Sequence, residues 1–345
     1  MSHSPSPSNV LLDSVVGAIN SVSSFLADDQ IRDGADLSSL FYPMADPDTD
    51  AQRADSETPP TDVVVLCASA VLYTAEVVFT TIHNLPKTRG MGRGRRDRKQ
   101  LTDAQRNEAR TYPAGTTIKP CLVLVICGGI GHSTRYMHEA VSRHPKYKQI
   151  AQGLQDKAEA DVLRAIGERF FGLDCDTQDS FTVLVENKST NCGANASMTR
   201  KLLESQGVHS PRSIVVAQDP TMCRRTRASF EKVYEDHKAS RPHIVSWPTF
   251  VPQVKLAKGV PNDEMNDLLA RLTFDTSHTP GLDTAGMWSM DRFIDLIMGE
   301  IPRLRDNPEG YGPNGKGFIA HVDIPHHVEE AWQVLKGAVQ IRSER

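Results

Sequence analysis

No stretch of the 345-residue sequence approaches the ~20 consecutive apolar residues that a membrane-spanning helix needs. The first nine residues are rich in Ser and Pro and lack the charged and apolar regions of a secretory signal, so the expected address is cytoplasmic. The six cysteines include no Cys-x-x-Cys pair, which removes both a zinc spacing and a disulfide framework. Cys67, Cys121 and Cys127 lie in or beside apolar runs, and all six read as reduced, mostly buried side chains. A formal charge of −4 gives no global argument for a nucleic-acid or membrane surface as partner. The common nucleotide signatures are missing too. Gly129-Ile130-Gly131-His132-Ser133-Thr134 begins a G-x-G-x-x-G but ends in Thr, with no acidic residue at the expected ~20 positions further on. Gly131-His132-Ser133 has His where a P-loop needs Lys, so neither NAD nor ATP is favoured. His326-His327, near His321 and Asp323, fits no standard metal spacing, and no metal is expected.

What the chain does have is a repeated unit of short apolar strand, polar loop and helix. Strands are expected at 62–67 (DVVVLC), 122–126 (LVLVI), 181–186 (FTVLVE), 213–217 (SIVVA) and 243–247. Their continuous apolar character suits parallel strands covered on both faces, and the spacing permits right-handed crossovers. This predicts an open, mainly parallel α/β sheet. The spacing predicts helices over 10–26, 71–84, 135–144, 156–171, from about 195 to 207, and from about 226 to 238. Beyond Pro252 strand signals fade, and helices are expected at 262–272, 284–299 and 327–340, with a Gly/Pro-rich stretch at 306–316. The expected organisation is an N-terminal helix and polar linker (1–61), an α/β domain (62–255) and a smaller, mainly helical C-terminal domain (256–345). Residues 86–119 form a basic insertion and linker. Within it Lys87 to Lys99 carries seven basic residues, three glycines and one acid. With no interleaved aromatics it reads as a solvated surface insertion rather than an RNA-binding arm, and nucleic acid is not an expected partner.

Ligands of parallel α/β sheets settle beyond the carboxyl ends of the strands. Four strand-following loops converge there: 68–70, 128–134, 187–195 and 218–226. Gly128, Gly129 and Gly131 let a ligand approach the backbone, while main-chain N–H groups and the Ser133 and Thr134 hydroxyls are suited to hold an anion. Glu186, with Asn191 and Asn195 behind it, can bond ribose hydroxyls or an amino group, or serve as a general base; the same residues, with Ser189, can equally form a cap-and-turn set. Arg224 and Arg225, following Asp219 at a helix start, can clamp a carboxylate or phosphate, or pair with acids nearby. His132 is a candidate proton carrier, as is His138.

Taken together, the loops resemble one family. Gly128 to Thr134, Ser189-Thr190-Asn191-Cys192-Gly193, Gln218 to Met222 followed by Arg224-Arg225-Thr226, Phe250-Val251-Pro252-Gln253, and Gly299 to Asp306 with Gly310-Tyr311-Gly312-Pro313 are similar to the YdcF branch of the SanA/ElyC/YdcF domain family. The resemblance runs from about Asp62 to Leu335. It implies a Rossmann-like α/β domain with a small C-terminal domain, and a protein that binds S-adenosylmethionine without an established reaction. Glu159 matches the family's acidic residue on the helix after the Gly-rich loop. Two departures are visible: Ala68-Ser69 stands where the family shows Gly-Asn, and Ala194 where it shows Glu. The basic insertion has no counterpart.

The leading expectation is therefore a small-molecule-binding protein whose ligand is S-adenosylmethionine or a related adenosyl or anionic metabolite. It would lie across Gly128 to Thr134, with Glu159, Glu186, Asn191 and Asn195 on its polar groups and Arg224 and Arg225 on its anionic end. The alternative is a hydrolase or transferase acting on a phosphate-containing substrate, with Glu186 or His132 activating water and the arginines stabilising charge. Methyl transfer ranks low, because the glycines follow the second strand and Cys127, not an acid, ends it. The sequence carries no indication of oligomeric state.

Overall fold

The computed structural model of the protein describes residues 7–41, 61–85, 122–173, 181–237, 241–257 and 269–343. The basic run Lys87 to Lys99, the polar stretch 46–60, Cys121, Cys175 and most of the helix expected at 262–272 lie outside the described residues.

Five strands form one wholly parallel sheet: β1 (Asp62–Cys67), β2 (Leu122–Cys127), β3 (Thr182–Glu186), β4 (Ser213–Ala217) and β5 (His243–Trp247). Their order is β3-β2-β1-β4-β5, the arrangement of an open Rossmann-like α/β fold. The three central strands are buried along their whole length on both faces, which is why their sequences run Val-Val-Val or Leu-Val-Leu-Val instead of alternating with polar residues. Val64, Leu66, Leu124 and Ile126 face α3 (Leu72–Asn84), α4 (Thr134–Arg143) and α5 (Glu159–Phe171). Val63, Val65, Val123 and Val125 face α6 (Cys192–Ser205) and α7 (Cys223–Val233) on the other side. Because all four strand pairs are parallel, all five strands end at the same carboxyl edge of the sheet.

A second core joins the two ends of the chain. The helix α1 (Pro7–Ala27) places Val15, Ile19, Val22 and Leu26 in one apolar cluster with α8 (Met290–Leu304), α9 (His326–Ser343) and a short hairpin, β6 (Val254–Leu256) and β7 (Leu272–Phe274). The hairpin corrects two expectations: strand structure continues past Pro252, and Leu272 lies in a strand, not a helix. The helix expected from 284 starts six residues late, because Ser289 caps it by accepting from the Arg292 N–H, after a 3-10 turn at Thr284–Gly286. A helix α2 (Gly34–Phe41), eight residues long, follows α1 and was not legible as a periodic pattern.

Candidate functional site

The strand order reverses between β1 and β4, and the loops after them flank a topological switch point. Its centre is occupied by Asp219, 4% exposed. Its Oδ2 accepts from the Ser69 hydroxyl at 2.8 Å and the Trp288 indole N–H at 3.2 Å; its Oδ1 accepts from the Thr221 N–H at 3.0 Å and hydroxyl at 2.6 Å. Burial pushes this carboxyl above the ordinary carboxylate range, and the bonds from Thr221, Ser69 and Trp288 oppose the shift. Asp219 thus clasps the loops after β1 and β4 to the segment leading into α8, and its own lone pairs are filled.

The Gly-rich loop after β2 is built by close approach. Gly128 has φ +151°, and a Cβ on it would lie 2.7 Å from the Ala68 Cβ; a Cβ on Gly129 would lie 2.6 Å from the Ser189 carbonyl oxygen. The N–H donors of these glycines are spent inside the protein. Gly128 donates to the Glu186 carbonyl at 2.9 Å, Gly129 to the Ser189 carbonyl at 2.6 Å, and Gly131 to Thr134 Oγ1 at 2.8 Å. The Ser133 and Thr134 hydroxyls both donate to Glu159 Oε1, at 2.8 and 3.0 Å. The anion cradle expected from the glycine N–H groups and these hydroxyls is therefore closed, because each donor has a nearer acceptor in the fold. Among the described residues the amides left unbonded are those of Ile130, His132 and Ser133, at the exposed tip.

Glu159 holds the loop to the first turn of α5, whose Glu159 and Ala160 N–H groups donate to the Gly129 and Gly128 carbonyls at 3.3 and 2.8 Å. Its side chain is 8% exposed, and Oε2 meets no hydrogen-bond partner among the described residues. That oxygen lies 3.4 Å from where a Gly128 Cβ would stand, so it fills the space that the glycine leaves beside Ala68. Burial pushes the Glu159 carboxyl above its ordinary range, against the Ser133 and Thr134 hydrogen bonds.

The β3 loop is a cap-and-turn set. Glu186 Oε1 accepts from the N–H groups of Lys188 at 2.8 Å and Ser189 at 3.1 Å, which ties the carboxylate to its own loop. Asn191 is the N-cap of α6, accepting from the Ala194 N–H at 2.9 Å. Asn195, one turn on, is 8% exposed, and its side-chain amide has no hydrogen-bond partner among the described residues. Ser189 Oγ is buried and also without a partner. His132 stands exposed at the loop tip, and its ring has no hydrogen-bond or ion-pair partner among the described residues, while His138 faces the Lys157 carbonyl at 3.1 Å.

The arginines expected at the anionic end have other partners. Arg225 makes a two-pronged bond to the buried Glu300, Nε to Oε2 at 2.5 Å and an Nη to Oε1 at 3.1 Å. Arg224 pairs with Asp28 at 2.9 Å and lies 4.1 Å over the Phe25 ring, while Arg227 meets Asp28 at 2.7 Å. These guanidinium groups join α7 to α1 and α8, and neither Arg224 nor Arg225 is free to clamp an anion. Near this edge, Arg135 and Arg292 have no carboxylate partner among the described residues; they lie 4.6 and 5.2 Å from the Tyr136 ring centre, and Arg135 donates to the Tyr136 hydroxyl at 2.7 Å. Sequence reasoning did not single out Arg135, Tyr136, Arg292 or Trp288. Of these, only Arg135 and Tyr136, directly after the Gly-rich loop, carried a positional signal.

Directly beneath the loops the strand-end thiols of Cys67 and Cys127 touch at 3.4 Å. The neighbouring thiol and then burial push Cys127 well above the ordinary thiol range, which makes it a packing residue rather than a nucleophile. Cys67, Cys127, Cys192 and Cys223 are all free and buried, as the sequence predicts. Among the described residues no group of three His, Cys, Asp or Glu side chains is arranged to hold a metal ion. No helix among them is long and apolar enough to cross a membrane. A shallow hollow elsewhere is lined by His138, Ser142, Gln155 and Asp156 and takes no residue from the loops after β1, β3 or β4.

The fold and this edge define an open, doubly wound Rossmann-like α/β protein with Asp219 at the switch point, Glu186 ending β3 and Glu159 starting α5. No model of a known protein family matches the chain.

Proposed function

We propose that the protein is a cytoplasmic, YdcF-like small-molecule-binding protein whose ligand is S-adenosylmethionine or a closely related adenosyl metabolite, held at the carboxyl edge of the sheet. The observation that carries this reading is the unpartnered polar chemistry left at that edge: the Glu159 Oε2 and the Asn195 amide, on residues 8% exposed, have no hydrogen-bond partner among the described residues. They stand at the starts of helices on opposite faces of the sheet, so a ligand lying over the strand ends would meet both. The nucleoside's identity comes from the resemblance of the loop sequences. An amide and a carboxylate suit a ribose diol, an amino group and a positively charged sulfur. A ligand carboxylate would find the N–H groups of Ile130, His132 and Ser133, unbonded among the described residues, or the guanidinium groups of Arg135 and Arg292, which form no ion pair among those residues.

The rival reading, hydrolysis or transfer of a phosphate-bearing group, needs cations at the reacting centre. With Arg224 and Arg225 bonded to Asp28 and Glu300, and Glu186 bonded to its own loop, that reading has neither its charge stabiliser nor its base in place.

Isothermal titration with S-adenosylmethionine tests the proposal. Saturable heat with a dissociation constant of about millimolar or tighter is expected, unchanged in Arg224→Ala once that variant is shown to be folded. No heat up to about that concentration contradicts it.

A further inference from the structure

The charge balance of the edge goes further than the presence of a ligand. Of the acidic side chains near it, Glu186 is satisfied by the N–H groups of Lys188 and Ser189, Asp219 by Ser69, Thr221 and Trp288, and Asp161 accepts from the Asn187 side chain at 3.1 Å. Glu159 is different. The residue is 8% exposed and receives two hydroxyl hydrogen bonds on Oε1, while Oε2, which is not sealed from solvent, has no hydrogen-bond partner among the described residues. No lysine or arginine among the described residues forms an ion pair with it, and the cations that could have entered from α7 are held by Asp28 and Glu300. A buried carboxylate with half of its hydrogen-bonding capacity unfilled interacts with an incoming positive charge more strongly than an exposed one does, because little water remains to screen it. A neutral ligand placed against the same oxygen removes its remaining water and gives nothing back.

We infer that the unbonded oxygen of Glu159 makes this edge selective for a cationic ligand, so that it takes the sulfonium form of an adenosyl metabolite and discriminates against the uncharged thioether. The inference rests on the reading that the edge binds an adenosyl metabolite. It adds which chemical form is bound, and assigns the choice to one side chain. Glu159→Gln keeps an amide oxygen to accept from Ser133 and Thr134 and changes only the charge and the group at the unbonded position.

The test is a pair of calorimetric titrations, S-adenosylmethionine and S-adenosylhomocysteine, with the wild-type protein and with Glu159→Gln, whose fold is checked by circular dichroism. Wild type is expected to bind the sulfonium at least about tenfold more tightly than the thioether, and Glu159→Gln to bring the two within about threefold, chiefly by weakening the sulfonium. Equal affinities in wild type overturn the inference and leave the binding reading standing. A preference that survives Glu159→Gln overturns the assignment to this residue. No heat from either compound with wild type overturns the binding reading and the inference together. The wild-type ratio needs no variant, so the outcome does not depend on how well Glu159→Gln folds.

Discussion

Glu159 is the residue at which stability and function pull apart. Its folded-state carboxyl is raised by burial, so its ionisation favours the unfolded chain. Well below the ordinary carboxylate range, both states hold the proton and the group costs nothing. As pH rises through about 4, the unfolded chain ionises first, and the folded protein loses stability until its own raised value is passed. Without ligand, Glu159→Gln is therefore expected to gain in melting temperature relative to wild type as pH rises above about 4; an offset that does not change with pH would contradict the burial argument. Ser189 makes a similar case without charge. A buried hydroxyl that finds no partner costs about 1–3 kcal/mol. Ser189→Ala should therefore unfold at a urea concentration equal to or above that of wild type, and a clear drop would show that the hydroxyl is satisfied in solution.

At the scale of elements, the Gly-rich loop is fixed by contact rather than by anion recognition. Adding a methyl at Gly128 or Gly129 drives it to 2.7 Å from the Ala68 side chain or 2.6 Å from a carbonyl oxygen, whereas at Gly131 the nearest atom is 3.5 Å away. Gly128→Ala and Gly129→Ala are expected to lose about 1–3 kcal/mol each, as overpacked sites do, and Gly131→Ala much less; denaturant melts of the three variants check the order. The strands themselves were legible to the residue at 62–67, 213–217 and 243–247, because an apolar run of five or six bounded by polar turns has few other ways to be buried. The convergence of the loops followed from the same pattern. Which partner each polar side chain takes was not legible. Ser69 meets Asp219 across 150 residues, Arg225 meets Glu300 across 75, and Trp288 meets Asp219 across 69. Local spacing at Arg224 and Arg225 fits an anion clamp and a structural tie equally well, and only the positions of the end of α1 and of α8 decide. The hairpin β6–β7 escaped because its strands are three residues long, too short to show a period.

For the molecule as a whole, the two ends of the chain share a core that leans on the sheet through α7. The Arg225–Glu300 pair is one polar tie within that interface, beside Arg224 and Arg227 on Asp28, and Glu300 is 2% exposed. Removing one partner leaves a buried charge, so Glu300→Ala is expected to cost about 3–5 kcal/mol, and the double replacement Arg225→Met with Glu300→Leu to recover most of it. Urea unfolding of the single and double variants measures this, and equal losses in both would show that packing rather than charge is what matters there. The double variant should still bind ligand, since neither residue belongs to the edge. Trp288 brings the same C-terminal part to the switch point through Asp219, so ligand at 100 times its dissociation constant should stabilise the entire molecule by about 2.7 kcal/mol.

The central claim is a location, and hydrogen–deuterium exchange with and without saturating S-adenosylmethionine tests it most directly. The account predicts slowed exchange in 128–134, 157–161 and 188–196, with the hollow beside His138, Ser142 and Gln155 unchanged. Protection confined to that hollow, or none in the loops after β2 and β3, would contradict it.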